Sequence, residues 1–145
     1  MPKPRVFLDS SVIITALLSN RGGSFYILTS LTDKCEFQTS EYGLREIQKA
    51  LVNKFFRQPS LPSQLFLLLG TARVFTLPSP SRQERDRAAK YISASDAPIL
   101  ASAMKHSDFL LTLDKGFFNA RVVTAAEKAG LNILTPKEFI GLFGN

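Results

Sequence analysis

The stretch Val6-Phe7-Leu8-Asp9-Ser10-Ser11-Val12 decides how the chain is expected to fold. Its three apolar residues follow two prolines and are typical of a short buried strand. The strand ends at Asp9, and Ser10 or Ser11 is suited to cap a helix that runs from Val12 to Leu18. A buried strand that passes directly into a helix favours a parallel α/β sheet, with Asp9 at the carboxyl end of its first strand.

Strands and helices alternate along the rest of the chain. Apolar runs bounded by turn residues predict four further strands, at 36–39, 73–77, 109–112 and 132–134. Periodic or capped stretches predict helices at 25–31, 40–55, 64–69, 82–92, 95–104 and 122–129, and a last helix that begins at Pro136. This alternation is typical of an α/β sandwich of three layers around a central, mainly parallel sheet of four or five strands. With 145 residues and no repeat or linker, the chain is expected to be a single domain spanning 1–145.

The composition suits a folded, basic protein. Hydrophobic residues make up 45% of the chain and charged residues 21%, which excludes an intrinsically disordered chain. The 18 Lys and Arg residues against 12 Asp and Glu residues give a net charge of +6. A basic surface suits a polyanion such as nucleic acid. Arg82, Arg85, Arg87 and Lys90 form a basic run, which we interpret as a solvated helix face rather than a phosphate-binding track.

Cysteine and histidine are too scarce to build a site. Cys35 and His106 are the single residues of their types, which excludes a disulfide within the chain and a zinc site made of Cys or His. Any bound metal therefore needs oxygen ligands, which favours Mg²⁺, Mn²⁺ or Ca²⁺. The first residues are not expected to form a signal peptide, and no apolar run approaches the roughly 18 residues that span a membrane. A cytoplasmic protein without a membrane partner is expected.

Four acidic residues stand where the predicted fold would gather them. Asp9 and Asp114 follow predicted strands, whose carboxyl ends form the edge at which α/β folds bind ligands. Asp96 begins a helix and shares a face with its buried residues, where an unpaired carboxylate is costly. Glu46 lies off the apolar stripe of its helix. Carboxylates gathered at one edge repel one another unless a cation lies between them.

Each acid also has a simpler interpretation. Asp9 and Asp96 could cap helices, because the helix dipole favours an acid at its start. Asp114 could be a turn residue, and Glu46 could be an ordinary solvated surface glutamate. None of these residues is a strong signal alone, but their joint placement is.

The same residues lie in four short motifs that resemble those of PIN domains, in the same order and over nearly the whole chain. The motifs are Val6–Val12, Ser40–Ile47, Asp96–Ala103 and Leu110–Phe117. Each motif is weak alone, whereas the set of four is fairly specific. The chain looks closest to the PIN proteins that are the toxin components of toxin–antitoxin pairs (VapC-like ribonucleases).

This resemblance implies a metal-dependent endoribonuclease that hydrolyses phosphodiester bonds in single-stranded or structured RNA. The catalytic acids and ligands of Mg²⁺ or Mn²⁺ would be Asp9, Glu46, Asp96 and Asp114. Ser11 and Thr112 lie beside them in the sequence and are expected to orient Asp9 or bound waters. The resemblance also implies an RNA substrate, an antitoxin protein as a partner, and a homodimer.

Three alternatives stay open. Glu41 competes with Glu46 for the second acidic position, although Glu46 directly precedes the apolar Ile47, as in the family pattern. Many relatives carry a further acid two residues after the fourth one, where this chain has Gly116, so one or two metal ions are both open. The alternative function is a non-catalytic PIN-like module that binds RNA or a protein partner without cutting.

Overall fold

A five-stranded sheet forms the centre of the computed structural model, which describes residues 2–144. Its strands are β1 (Arg5–Leu8), β2 (Glu36–Ser40), β3 (Phe75–Leu77), β4 (Phe109–Leu111) and β5 (Asn132–Leu134). The strand order is β3-β2-β1-β4-β5, and every neighbouring pair is parallel. The predicted α/β class is therefore confirmed, with the sheet parallel throughout.

Helices cover both faces of this sheet. They are α1 (Ser10–Leu18), α2 (Gly23–Ser30), α3 (Glu41–Asn53), α4 (Leu61–Thr71), α5 (Arg82–Ala88), α6 (Ala97–His106), α7 (Ala120–Lys128) and α8 (Pro136–Phe143). Successive side chains of a strand point to opposite faces, so Val6 and Leu8 enter one core and Phe7 enters the other. The first core is shared with α1, α2, α3, α4 and α8, and the second with α5, α6 and α7. The predicted three layers are confirmed.

The direction in which successive strands are added to the sheet reverses beside β1. From β1 the chain moves to β2 and β3 on one side, and it returns through β4 and β5 on the other side. Such a reversal opens a crevice beyond the carboxyl ends of the two central strands, where α/β folds bind ligands. Leu8 pairs with Leu111 at the last position of β1 and β4, so the residues that follow these strands emerge side by side.

The boundaries of some elements differ from the prediction. Helix α5 ends at Ala88, and the Lys90 and Tyr91 N–H groups bond to carbonyls only three residues earlier, which tightens the turn that follows. The third strand begins only at Phe75, after Arg73 adopts a left-handed conformation with φ 57°. A short 3₁₀ turn at Lys115–Phe118 was not predicted. Among residues 2–144, no helix combines the length and apolar character needed to cross a membrane.

Candidate acidic active site

Asp9 and Asp114 come from adjacent strands at the carboxyl edge of the sheet. Asp9 directly follows β1, and its backbone N–H donates to the Leu111 carbonyl at 3.0 Å, which extends the pairing of β1 and β4 by one residue. Asp114 lies shortly beyond β4 and precedes the 3₁₀ turn. Both side chains therefore lie in the crevice where the strand order reverses, as their places in the sequence predicted.

Two hydroxyl groups hold the Asp9 carboxylate. Ser11 Oγ and Thr112 Oγ1 each donate a hydrogen bond of 2.8 Å to Asp9 Oδ2. The same hydroxyls accept backbone N–H groups, from Leu113 at 3.1 Å and from Asp114 at 3.0 Å respectively. Asp9 is 5% exposed and Thr112 is fully buried. These bonds orient both hydroxyls toward Asp9, so its carboxylate is fixed from two sides.

Asp9 and Asp96 both occupy N-cap positions without capping a helix. Asp9 precedes α1 and Asp96 precedes α6, and neither side chain makes a capping hydrogen bond to its helix. Asp96 instead accepts a hydrogen bond of 3.0 Å on Oδ2 from Ser93 Oγ. Both acids therefore hold the N-cap positions that the simpler interpretation predicted, but neither side chain forms a capping hydrogen bond with its helix.

Asp114 and Asp96 share the space beside Gly116. Asp114 Oδ1 accepts the Gly116 N–H at 2.9 Å, so the turn interpretation of Asp114 is correct as far as it goes. A Cβ atom added to Gly116 would lie 3.4 Å from Asp114 Oδ1 and 3.9 Å from Asp96 Oδ2. The carboxylates from the end of β4 and the start of α6 therefore meet around one small open space.

Glu46 approaches the other acids from α3. Its neighbour Ile47 is buried in the core, whereas Glu46 is partly buried and the rival Glu41 is exposed. The start of α3 packs closely on β2, because a Cβ at Gly43 would lie only 2.9 Å from Thr39 Oγ1. The charges of Asp9, Asp96 and Asp114 all act on Glu46, so Glu46 is the glutamate that the fold brings to the cluster.

Burial and mutual repulsion disfavour the ionised forms of Asp9, Glu46 and Asp96. Burial raises the pKa of Asp9, although the hydrogen bonds from Thr112 and Ser11 oppose it. Burial, together with the charges of Asp9 and Asp96, raises the pKa of Glu46 from an ordinary value of 4.5 to about 7. Burial also raises the pKa of Asp96, with the charge of Asp114 adding to the effect.

These acids have no strong cationic partner in the described part of the chain. The ion pairs within residues 2–144 are Arg5–Asp108 and Lys105–Glu84, and they involve none of the four acids. Lys49 lowers the pKa of Glu46, but its effect is smaller than that of Asp9 or Asp96. The cluster therefore carries an excess of negative charge that an added cation would offset.

The donor set suits a hard divalent cation. All four side chains offer carboxylate oxygens, which Mg²⁺ and Mn²⁺ prefer. Within residues 2–144, no three Asp, Glu, His or Cys side chains already converge on one metal-binding point. Mg²⁺ usually keeps several waters and needs only one or two direct carboxylates, so the acids fit such an ion without forming a closed cage.

Two further residues support the cluster and were not predicted, Ser93 by direct contact and Tyr42 through the segment before Asp96. Tyr42 Oη donates a hydrogen bond of 2.8 Å to the Ser95 carbonyl, which ties α3 to the segment before Asp96. Ser93 is the donor to Asp96 Oδ2. The sequence contained a signal for both residues in their separation from the acids. Tyr42 lies one helical turn before Glu46, and Ser93 lies three residues before Asp96, which are the separations that place side chains together.

No family model matches this sequence, and no curated protein is detectably similar to it. Solved structures do match. VapBC2 from Rickettsia felis, solved with a DNA fragment from its promoter, aligns with a TM-score of 0.68 and 15% identity, over 90% of this chain and 98% of that one. PAE2754 from Pyrobaculum aerophilum aligns with a TM-score of 0.65 and 15% identity, over 97% and 90%. FitAcB from Neisseria gonorrhoeae aligns with a TM-score of 0.61 and 20% identity, over 91% and 98%.

This chain has the PIN-domain fold. The resemblance drawn from the four acidic motifs is thus confirmed at the level of the fold. The PIN-like fold accounts for nearly all of the chain, since the alignments cover 90% or more of it. At 15–20% identity the likeness concerns the fold alone, so what the PIN-like crevice does rests on its own residues.

Proposed function

We propose that this protein is a metal-dependent endoribonuclease that hydrolyses phosphodiester bonds in RNA. The observation that carries the proposal is the meeting of Asp9, Glu46, Asp96 and Asp114 in one crevice, with the pKa of three of them raised. A fold gains nothing in stability from gathering unpaired acids, so a cluster of this kind favours a functional site.

The acids of the crevice have distinct roles in this proposal. Asp9, Asp96 and Glu46 would hold a Mg²⁺ or Mn²⁺ ion, and Asp114 would complete the site. When bound, the ion would lower the pKa of a water molecule and offset the charge of the scissile phosphate. Ser11 and Thr112 keep the Asp9 carboxylate in one orientation by donating to the same oxygen, so that its other oxygen faces a fixed direction.

The net charge and the PIN resemblance support RNA as the substrate class. A net charge of +6 favours a polyanion, and single-stranded or structured RNA is the substrate that the PIN resemblance implies. The neighbours VapBC2 and FitAcB are toxin–antitoxin proteins, which supports a role as the toxin of such a pair, with an antitoxin protein as partner. A homodimer and a cytoplasmic location belong to the same proposal.

One observation favours a second candidate, a non-catalytic PIN-like module that binds RNA or protein. Within residues 2–144, no three potential ligands converge on a metal. A binding module would tolerate such an arrangement, whereas a nuclease must gather the acids when the ion binds. We favour the nuclease because the raised pKa values are the expected property of acids that lack their cation.

The experiment is cleavage of a fluorescently labelled single-stranded RNA by purified protein in Mg²⁺, Mn²⁺ or EDTA. We expect cutting in at least one metal and none in EDTA. Asp9→Asn and Asp96→Asn should both be inactive while remaining folded. Without metal, Asp9→Asn should melt no lower than the wild type, because one repelling charge is gone. Absence of cutting by folded protein in every metal would favour the binding module.

A further inference from the structure

A groove of about 900 Å³ runs along α3, and one of the four acids, Glu46, is part of its lining. Its principal lining side chains are Tyr42, Arg45, Glu46, Lys49, Asn53 and Lys54. Glu46 belongs both to the groove and to the acidic cluster, so the groove begins where the proposed chemistry takes place. A chain lying in the groove would therefore pass directly into the crevice.

Most of the polar lining of the groove comes from one stripe of α3, and Ala50 and Val52 also line it. Residues 42, 45, 46, 49 and 53 are separated by three or four positions, which places them on one face of the helix. The opposite face carries Ile47 and Leu51, which are buried. Arg45, Lys49 and Lys54 are exposed and contribute nothing to the core. Three exposed cations therefore line the groove, Arg45 and Lys49 on this face and Lys54 at the C-cap of α3.

Tyr42 lies at the inner end of the groove. Its hydroxyl donates to the Ser95 carbonyl at 2.8 Å, which fixes the ring between α3 and the segment that leads to Asp96. Glu46 and Asp96 both act on the Tyr42 hydroxyl, so the ring stands beside the acids. An aromatic ring held at the inner end of a cationic groove is a platform on which a nucleotide base can stack.

We propose that the α3 groove binds the single-stranded RNA segment that adjoins the scissile phosphate. Lys49 and Lys54 pair with its phosphates, and Tyr42 stacks on the base nearest the cluster. The proposal rests on the proposed ribonuclease function. Its physical reason is that four acids repel an incoming polyanion, so cations beside them are needed to bring the RNA in. The helix rises about 12 Å from Glu46 to Lys54, at about 1.5 Å per residue, which is the length of about three nucleotides at helical spacing.

The second basic surface of the molecule fits less well. Arg87, Lys90 and Lys105 line a separate hollow of about 470 Å³, whose lining includes none of the four acids. Lys105 is already paired with Glu84 at 3.0 Å. A strand bound there would not lie beside the proposed chemistry. Arg87 and Lys90 therefore provide a control with the same change of charge at a different place.

The test measures binding of a fluorescent single-stranded RNA to the full chain in EDTA, across a range of salt concentrations. Each lost phosphate contact reduces the slope of log K against log salt by about 0.7, so the Lys49→Ala/Lys54→Ala variant should lose about 1.4. The Arg87→Ala/Lys90→Ala variant should keep the wild-type slope. Tyr42→Leu should bind on the order of tenfold more weakly, while Tyr42→Phe, which keeps the ring, should bind as wild type.

The results separate this proposal from the proposed function. An unchanged slope for Lys49→Ala/Lys54→Ala, or an equal loss in the Arg87→Ala/Lys90→Ala control, would overturn the groove. The groove proposal would also be overturned if the protein did not bind RNA but bound a poly-glutamate probe in a way that depended on Lys49 and Lys54. The occupant would then be an acidic protein segment. Cleavage is measured separately, in Mg²⁺ and in Mn²⁺. Groove-dependent binding without cleavage would overturn the nuclease and leave the groove intact.

Discussion

Thr112 Oγ1 donates a hydrogen bond of 2.8 Å to Asp9 Oδ2 and thereby joins the ends of the two central strands, β1 and β4. Thr112 Oγ1 also accepts a hydrogen bond from the Asp114 N–H at 3.0 Å. One fully buried hydroxyl thus orients one acid directly and positions the backbone of a second. Its removal is expected to disturb the geometry of the site and the stability of the fold together.

Thr112→Val should lose both bonds while keeping nearly the same shape. The Asp114 N–H would be left without its partner, so we expect the free energy of unfolding to fall by about 1–3 kcal/mol. Cleavage should fall by about 10- to 100-fold, as is typical when a group that orients a metal ligand is lost. Chemical denaturation and a cleavage assay measure the two effects. Thr112→Ser keeps the hydroxyl and should retain most of the activity; equal activity of the Val and Ser variants would contradict the role of Thr112.

The pH dependence of stability without metal should depend on Glu46. The pKa of Glu46 is about 7 in the folded protein, against an ordinary value of 4.5 that we take for the unfolded chain. Between these values the folded state binds more protons, so the free energy of unfolding falls as the pH rises from 4.5 to about 7. Asp9 and Asp96, whose pKa values are also raised, act in the same direction.

Thermal melts in EDTA from pH 5 to 7.5 test this dependence. The melting temperature of the wild type should fall across the range, and that of Glu46→Gln should fall less. Glu41→Gln is the matched control, because Glu41 is exposed on the same helix, and its profile should follow the wild type. Identical profiles for Glu46→Gln and the wild type would show that Glu46 ionises normally.

Gly116 marks a place where a further carboxylate would join the cluster. A Cβ there meets Asp114 Oδ1 and Asp96 Oδ2 at 3.4 and 3.9 Å, which are ordinary contact distances, so a side chain fits. In EDTA, Gly116→Asp should melt below the wild type, because a new negative charge enters a cluster whose acids already repel one another. Added Mn²⁺ should raise its melting temperature more than that of the wild type. Gly116→Asn, with the same shape and no charge, should show neither effect, and a Gly116→Asp variant that behaves like Gly116→Asn would show that this space lies outside the metal site.

The fold was largely predictable because its signals are local. The apolar run before Asp9 and the alternation of strands and helices predicted a parallel α/β sheet, and all five strands are present. The boundaries were less predictable. Neither the left-handed conformation of Arg73 nor the tightened turn after α5 follows from the periodicity of apolar residues.

The site was predictable in its members and less so in its geometry. Asp9 and Asp114 could be placed because parallel strands end at one edge, and Glu46 because its helix turns Ile47 inward. The absence of capping by Asp9 and Asp96 depends on distant partners that the sequence does not reveal, such as Thr112, 103 residues from Asp9. The groove along α3 depends in the same way on how Tyr42 meets Ser95.

The most direct test of the central claim compares RNA cleavage in Mn²⁺ by Glu46→Gln and Glu41→Gln. Both variants lose one charge from the same helix, but only Glu46 faces the other acids. If the four acids form the catalytic site, Glu46→Gln should lose about 100-fold or more in rate, at least as much as the loss of an outer-shell residue, and Glu41→Gln should cut like the wild type. Normal cutting by Glu46→Gln, or equal losses in both variants, would contradict the assignment.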